Sequence, residues 1–465
     1  MTTGPDTIWT PPFSRRRFLQ LGITAGAAGA AGALLAACGS SAPGATTTTG
    51  SASGKSPSSA GGSGGGSGGQ TGALVLAAEQ DPSGTLNKLV SQWNAKNPHT
   101  HVTAQLIPPT TNAVYSQYVT ALAGQASTPD ILTMDVTYPP TFAAAGWLHP
   151  LDQFVTAEIK SAYAPSTLGI GTYQGKLYAL PEYIDSGQLY YRTDLLEKYH
   201  ASVPTTMDEL VQTAKEIQDG ERRTKPDFVG FTWEGAKIEA IFDQFCEWVW
   251  AYGGDVSQSH KVTLNTAAGQ KALQFMYDTI YKDKISPAGE STFTSTDAVV
   301  PMQNGNAAFM RNWGFAWGVL EKAGQSKVAG KVANAPLPGA TPGSGHGCTG
   351  GWMFGINARS QRPEAAWRFI EFITAKPQQV TLALGAGVVP GRTDVLTDPM
   401  VVSKSPNFKE MPKILAGARN RPSIKNYPAE SALVQAPLNS VVANQVSVSE
   451  GIKQAQSAIA NAVVA

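Results

Sequence analysis

Between residues 73 and 136 the apolar positions switch repeatedly between a strand-like and a helix-like rhythm. The short run Ala73-Leu-Val-Leu-Ala-Ala78 predicts a buried parallel strand. Residues 85–97 predict a helix closed by Pro98, and Val102, Ala104 and Leu106 alternate as the next strand. A helix over 115–124 and the strand Asp130-Ile-Leu-Thr-Met-Asp-Val136 follow. Strands alternating with helices predict βαβ units and a mostly parallel sheet. The middle of the chain turns helical. Thr206-Met-Asp-Glu209 forms a capping box after Pro204, with Leu210, Ala214 and Ile217 on one face and Gly220 at the end. Ala272, Met276 and Ile280 mark another helix after Asn265. Pro363 opens one whose Ala366, Ile370 and Ile373 share a face, with Pro377 as its stop. Residues 350–357 just before it read as a strand. A βα unit this late implies that the chain returns to its first sheet, so that two lobes interleave. Residues 432–465 read as polar-apolar helix, and no internal repeat is present.

Ahead of this lies a different composition. Residues 39–72 are almost wholly Ser, Thr, Gly, Ala and Pro with one charge, Lys55, which predicts flexible coil with a root-mean-square span of roughly 30–35 Å. Arg15-Arg16-Arg17-Phe18-Leu19 precedes an Ala/Gly-rich apolar run over 21–37 that ends Leu35-Ala-Ala-Cys38. The run is too short and too small-sided for a spanning helix and has the parts of a signal peptide. It resembles twin-arginine signals combined with the lipobox of bacterial lipoproteins. That resemblance implies export, lipidation of Cys38 and a cell-membrane anchor on the extracytoplasmic face. Residues 1–37 are then the signal peptide and 38–72 a tether.

Charge narrows the partners. The formal net charge of +1 becomes −1 when Arg15, Arg16, Arg17 and Asp6 leave with residues 1–37. Such a balance offers no electrostatic reason for nucleic acid or an anionic membrane surface. Beyond Cys38, only Cys246 and Cys348 remain, which is no disulfide framework, and Cys246 in its aromatic helical stretch reads as a plain buried thiol. His99 and His101 read as solvated positions rather than metal ligands. Gly345-His-Gly347-Cys-Thr-Gly350 has dinucleotide-fingerprint spacing but precedes a strand, so it reads as a crossover. The expectation is no cofactor, no metal and no catalytic residue. Trp248 and Trp250 at helical spacing read as core.

The remaining signal is aromatic residues beside Gly, Pro and isolated polar groups: Tyr138 after Asp135, Tyr183-Ile-Asp185, Asn312-Trp313-Gly-Phe315 and Gly350-Gly351-Trp352. Aromatic faces with neighbouring carboxylates suit sugar rings. The series Asp130-Ile-Leu-Thr-Met-Asp135, Ala145-Gly-Trp-Leu-His-Pro150-Leu, Gly175-Lys-Leu-Tyr-Ala-Leu-Pro181, Leu189-Tyr-Tyr-Arg192 and Gly305-Asn-Ala-Ala-Phe-Met-Arg-Asn-Trp313 resembles extracellular solute-binding proteins of ABC importers, closest to the trehalose/maltose-binding branch. The resemblance covers about residues 73–440. It implies an α/β, two-lobed periplasmic-binding-protein-like fold, each lobe a mostly parallel sheet flanked by helices with a hinge between. The expected segments are 73–182 and 348–392 for the first lobe, 183–347 and 393–465 for the second. By the same resemblance the ligand site comprises Glu79, Asp135, Tyr183, Asp185, Glu239, Trp313, Phe315, Gly351, Trp352 and Arg421. The branch usually has Tyr where Phe315 stands. The implied protein is a monomer that captures a disaccharide or short oligosaccharide by hinge closure and delivers it to a membrane permease. A lipid-anchored glycoside hydrolase using two of Asp135, Asp185 and Glu239, and a glycerol-3-phosphate-type binder, stay open as alternatives.

Overall fold

The computed structural model describes residues 72–462 apart from 82, 109, 259, 260 and 423–426. The expected signal, Cys38 and the tether to residue 71 lie outside the described residues. Order begins with β1 (Leu74–Ala78), α1 (Thr85–Lys96), β2 (Val102–Leu106), α2 (Thr111–Ala123), β3 (Ile131–Asp135) and α3 (Tyr138–Ala144). These match the rhythm of the sequence closely. α1 turns Leu86, Leu89, Val90 and Trp93 inward, the i, i+3, i+4, i+7 spacing of one helical face. α2 buries Val114, Tyr118 and Leu122 on the opposite side of the sheet, against Phe142. The chain then runs through β4 (Ala179–Ser186) into β5 (Gln188–Arg192), α4 (Met207–Glu221), β6 (Val229–Thr232), α5 (Glu239–Ala251), α6 (Ala267–Tyr281), β7 (Ala307–Asn312) and β8 (Val332–Ala335). It returns through β9 (Thr349–Ile356), α7 (Pro363–Ile373) and α8 (Lys376–Ala386), and finishes with α9 (Met411–Ala416), α10 (Tyr427–Val442) and α11 (Val448–Ala462).

The strands form a five-stranded sheet, β2-β1-β3-β9-β4, and a four-stranded one, β8-β5-β7-β6. Each has its own apolar core, so the chain makes two lobes. Both sheets are mixed, which corrects the expectation of mostly parallel ones. β1 pairs in parallel with β2 and β3, but β9 runs antiparallel to β3 and β4. In the second sheet β7 is parallel to β6, whereas β5 is antiparallel to both β7 and β8. The reason is the crossover: β4 leaves for the second lobe and β9 comes back from it, so the two run in opposite directions side by side.

The expected boundary after residue 182 also moves. Pairing with β9 holds the chain in the first sheet through Ser186, and the crossing falls at Gly187. At the other end, residues up to Ala416 pack over α8 in a small core of Ala383, Val395, Val401, Phe408 and Met411, and α10 and α11 join the core of the second lobe. Pro377 lies in the first turn of α8 rather than marking a plain stop. The capping box forms as expected, Thr206 Oγ1 accepting from Glu209 N at 3.2 Å and Glu209 Oε2 from Thr206 N at 3.1 Å. His99 and His101 are exposed. Cys246 and Cys348 are buried free thiols, and Trp248 and Trp250 are core. Among the described residues no helix is long and apolar enough to cross a membrane.

Beneath the crossing lies a buried ion network. Arg311 of β7 is fully enclosed; its Nη1 donates to Glu234 Oε2 at 2.7 Å, and its Nε and Nη2 grip Glu247 of α5 at 2.8 and 2.5 Å. Glu247 Oε1 also accepts from Cys348 N at 2.9 Å, and Gly187 N donates to Cys348 O at 3.1 Å. A Cβ at Gly187 would overlap Glu247 Oε1 and Arg311 Nη2, so only glycine lets the crossing strand lie this close. Removing one partner of a buried ion pair strands the other charge, at a cost of about 3–5 kcal/mol. Arg311→Leu is therefore expected to lower stability by about that amount, read from the urea midpoint. An unchanged midpoint contradicts the role given to the network.

Candidate functional site

At the end of the first sheet, register builds a row of side chains. Trp352 of β9 stands level with Asp135 of β3 and with Tyr183 of β4. Residues level on adjacent strands share a face, so a carboxylate, an indole and a phenol lie side by side. Thr137 fixes Asp135 by donating to its Oδ1 from N at 2.9 Å and from Oγ1 at 2.7 Å. Tyr183 OH donates to Glu79 Oε2, just beyond β1, at 2.9 Å. Gly351 has φ 119°, and a Cβ there would overlap the Tyr183 carbonyl, so its contribution is close backbone approach.

The second lobe supplies the facing groups. Glu239 is the first residue of α5, where the helix dipole favours an anion. Its Oε1 accepts from Tyr427 OH at 2.7 Å and from Arg421 Nη1 at 3.2 Å; its Oε2 accepts from Gln435 Nε2 at 3.2 Å and from Ser431 Oγ. Arg421, between α9 and α10, also donates from Nη2 to both Asp135 oxygens at 2.9 and 3.1 Å. One guanidinium thus joins a carboxylate of the first sheet to a carboxylate of the second lobe. Asp243, one turn along α5, approaches the same guanidinium at 3.6 Å. Burial alone would lower the Arg421 pKa, but the charges of Asp135 and Asp243 hold it well above its ordinary value. Burial pushes the Asp243 carboxyl well up despite Arg421. A further bond crosses between the lobes: Asn112 Nδ2 of α2 donates to Gln435 Oε1 of α10 at 2.8 Å.

The other expected residues sit differently. Asp185 spends both oxygens on backbone, accepting from Ser186 N at 2.8 Å and Gly314 N at 3.0 and 2.8 Å, and so ties β4 to the turn after β7. Burial raises its carboxyl to about 7 against these N–H bonds. Trp313 is half-buried, with the Arg311 guanidinium 4.2 Å from its ring centroid and its ring edge against Gly350. Phe315 is partly buried and packs against the core around Tyr190, Met302, Met310 and Leu320. The structure thus brings Glu79, Asp135, Tyr183, Glu239, Trp352 and Arg421 into bonded or in-register contact. It also adds Asp243, Tyr427, Ser431 and Gln435. The sequence held a signal for these: Glu239, Asp243 and Glu247, and Tyr427, Ser431 and Gln435, are each spaced by four, which is one polar stripe along a helix. Among the described residues no group of His, Cys, Asp and Glu could hold a metal ion.

Burial pushes the Glu79 carboxyl from its ordinary 4.5 up to about 8, the Tyr183 bond opposing the rise and the Asp135 charge adding to it. Between those two values the folded protein holds a proton that the unfolded chain has released, so this group makes stability fall as pH rises. Glu79→Gln removes that contribution. Its Tm relative to the native protein is expected to climb from about pH 5 and to level off above about pH 8. An equal gap at both ends of the range contradicts the assignment.

The comparisons with known proteins agree with this architecture. A maltose-bound MalE3 of T. maritima superposes with a TM-score of 0.79 at 34% identity, covering 84% of this chain and 99% of that one. A ribitol-bound ABC transporter solute-binding protein of Agrobacterium radiobacter K84 gives a TM-score of 0.76 at 25% identity, covering 84% and 98%. A curated relative from Deinococcus radiodurans, named "Probable ABC transporter-binding protein", is 33% identical over 71% of this chain and 78% of its own length. The maltotriose-binding protein of Pyrococcus abyssi is 24% identical over 71% and 69%. A family profile described as "Bacterial extracellular solute-binding protein" matches residues 77–380. This chain belongs to the bacterial extracellular solute-binding protein family.

Proposed function

We propose that this protein is the sugar-capturing component of an ABC importer. It takes a disaccharide or short oligosaccharide of the maltose or trehalose type, closes on it and presents it to the permease. The observation that carries the reading is the row Asp135–Trp352–Tyr183 set against Glu239 and Arg421 from the other lobe. An indole offers its face to the C–H side of a sugar ring, while carboxylates and a guanidinium exchange hydrogen bonds with the hydroxyls. A ligand that touches both lobes stabilises the closed arrangement over the open one, and no bond needs to break. The relatives that are named for maltose and maltotriose binding support the sugar class. Segments 73–186 and 349–416 form the first lobe in this reading, and the crossing at Gly187 acts as a hinge. Lipidation at Cys38, export through the twin-arginine segment and a monomer tethered by residues 39–72 complete the proposal.

A thermal-shift screen of trehalose, maltose and maltotriose tests it. Saturation at 100 times Kd is expected to add about 2.7 kcal/mol of stability. Release of monosaccharide during incubation would instead favour a hydrolase, and a shift produced by glycerol 3-phosphate alone would move the protein to another ligand class. Trp352→Ala is expected to weaken the sugar hit roughly 30-fold by titration calorimetry, with Tm in the absence of sugar little changed. An undiminished affinity removes Trp352 from the site. For the anchor, Cys38→Ala is expected to move the protein from the membrane fraction to the soluble one, and retention on the membrane contradicts lipidation at that residue.

A further inference from the structure

The pairing of β4 with β9 slips by one residue. Trp352 pairs with Tyr183, but its neighbour Met353 pairs with Pro181, leaving Glu182 as the extra residue of a β-bulge. Bulges re-aim a side chain, and they gather beside binding sites. Here the bulge adjoins the row that holds Trp352 and Tyr183. Its backbone is pinned, since Gln379 Nε2 of α8 donates to Glu182 O at 3.0 Å. Glu182 is 7% exposed, and among the described residues its Oε2 is buried without a hydrogen-bond partner. No cation is paired with it or with Glu79 among the described residues.

A buried carboxylate oxygen that nothing in the protein satisfies is costly, of the order of 1–3 kcal/mol or more for a charged group. A donor from outside removes that cost. The groups that face Glu182 are Glu79 and Asp81, with Tyr118 of α2 and Tyr183 also within electrostatic reach. None of these is a cation, and the tyrosines are already spent: Tyr118 OH donates to Thr133 O at 2.9 Å and Tyr183 OH to Glu79. Burial first, and then repulsion from Glu79 and Asp81, drive the Glu182 carboxyl well above its ordinary range. A sugar hydroxyl both donates and accepts, so it can satisfy the unpartnered Glu182 oxygen whether the carboxyl is ionised or protonated.

Resting on the sugar-binding reading above, we propose that Glu182 is a specificity-determining ligand contact, which with Glu79 accepts hydrogen bonds from hydroxyls of the ring stacked at Trp352. The bulge is what brings this carboxylate to the site. Glu79 enters from the end of β1 and Glu182 from β4, so the pair reads hydroxyl positions on that ring rather than bulk sugar character.

The test is titration calorimetry of maltose and trehalose with the native protein, Glu182→Gln and Glu182→Ala, followed by a set of monodeoxy maltoses, or monodeoxy trehaloses if trehalose is the sugar bound. Glu182→Ala is expected to weaken the bound sugar by about 10- to 100-fold. One monodeoxy analogue, lacking the hydroxyl that Glu182 reads, should bind native and variant equally well. The variant should be no less stable than the native protein without sugar, because it removes an unsatisfied buried group. If Glu182→Ala does not fold, Glu182→Gln decides, with the same convergence on one analogue. Native-like affinity in the variant overturns the proposal and leaves the sugar reading standing, as does an equal proportional loss across every analogue. A native protein that binds neither sugar overturns both.

Discussion

The interaction on which the rest depends is the compensation of one helix. All 13 residues of α5 are buried, yet Glu239, Asp243 and Glu247 form an acidic stripe along it. Taking a carboxylate out of water costs several kcal/mol even after relaxation, so such a helix is tolerable only where cations and donors meet the stripe. Arg421 meets it at Glu239 and Asp243, and Arg311 at Glu247. The polar stripe of α10, Tyr427, Ser431 and Gln435, completes the donors around Glu239. The two arginines then do different work. Arg421 reaches on to Asp135 in the first lobe, and Arg311 supports the strand crossing at Gly187. The helix that presents the candidate-site carboxylates is therefore also the floor of the crossing.

Much of this was legible in the sequence, and what was not has physical reasons. The alternation of β1, α1, β2, α2 and β3 is visible because each element buries one face at its own period. The capping box at Thr206 and the helix opened by Pro363 are local chemistry and appear where that chemistry places them. Strand direction is not local. A buried strand reads the same whichever way its neighbour runs, so the antiparallel setting of β9 was invisible. The crossing at Gly187 depends on how far β9 pairs with β4, and the bulge at Glu182 on a slip in that pairing. Both are set by partners distant in sequence. The acid stripe of α5 was legible in principle, but its aromatic neighbours Trp248 and Trp250 dominate the pattern of that segment.

The candidate site shows how polar groups are held ready between two lobes. Asp135 and Glu239 each accept four hydrogen bonds, as many as a carboxylate has lone pairs, so a hydroxyl enters there by displacing one of those donors. Sharing Arg421 between them makes the guanidinium a bridge that can exchange one partner for a hydroxyl without leaving either charge stranded. Asp185, by contrast, accepts from backbone, the Gly314 and Ser186 amides. Its role in the geometry is to hold the turn that carries Trp313 against the end of β4. The carboxylate expected at the ligand thus also holds the frame around it.

That frame links the aromatic wall to the crossing. Arg311 lies 4.2 Å from the centre of the Trp313 ring, and the same guanidinium holds Glu247, on which Cys348 and Gly187 rest. Trp313 also lies against Gly350, at the start of the strand that returns to the first lobe. An indole clamped in this way has few rotamers left to lose, which favours tight stacking of a partner on the ring area that remains free. On the sugar-binding reading, occupancy of that ring and the position of the crossing strands are parts of one packed unit. Packed units of this kind have discrete arrangements rather than a continuum, so ligand contact and lobe closure would change together.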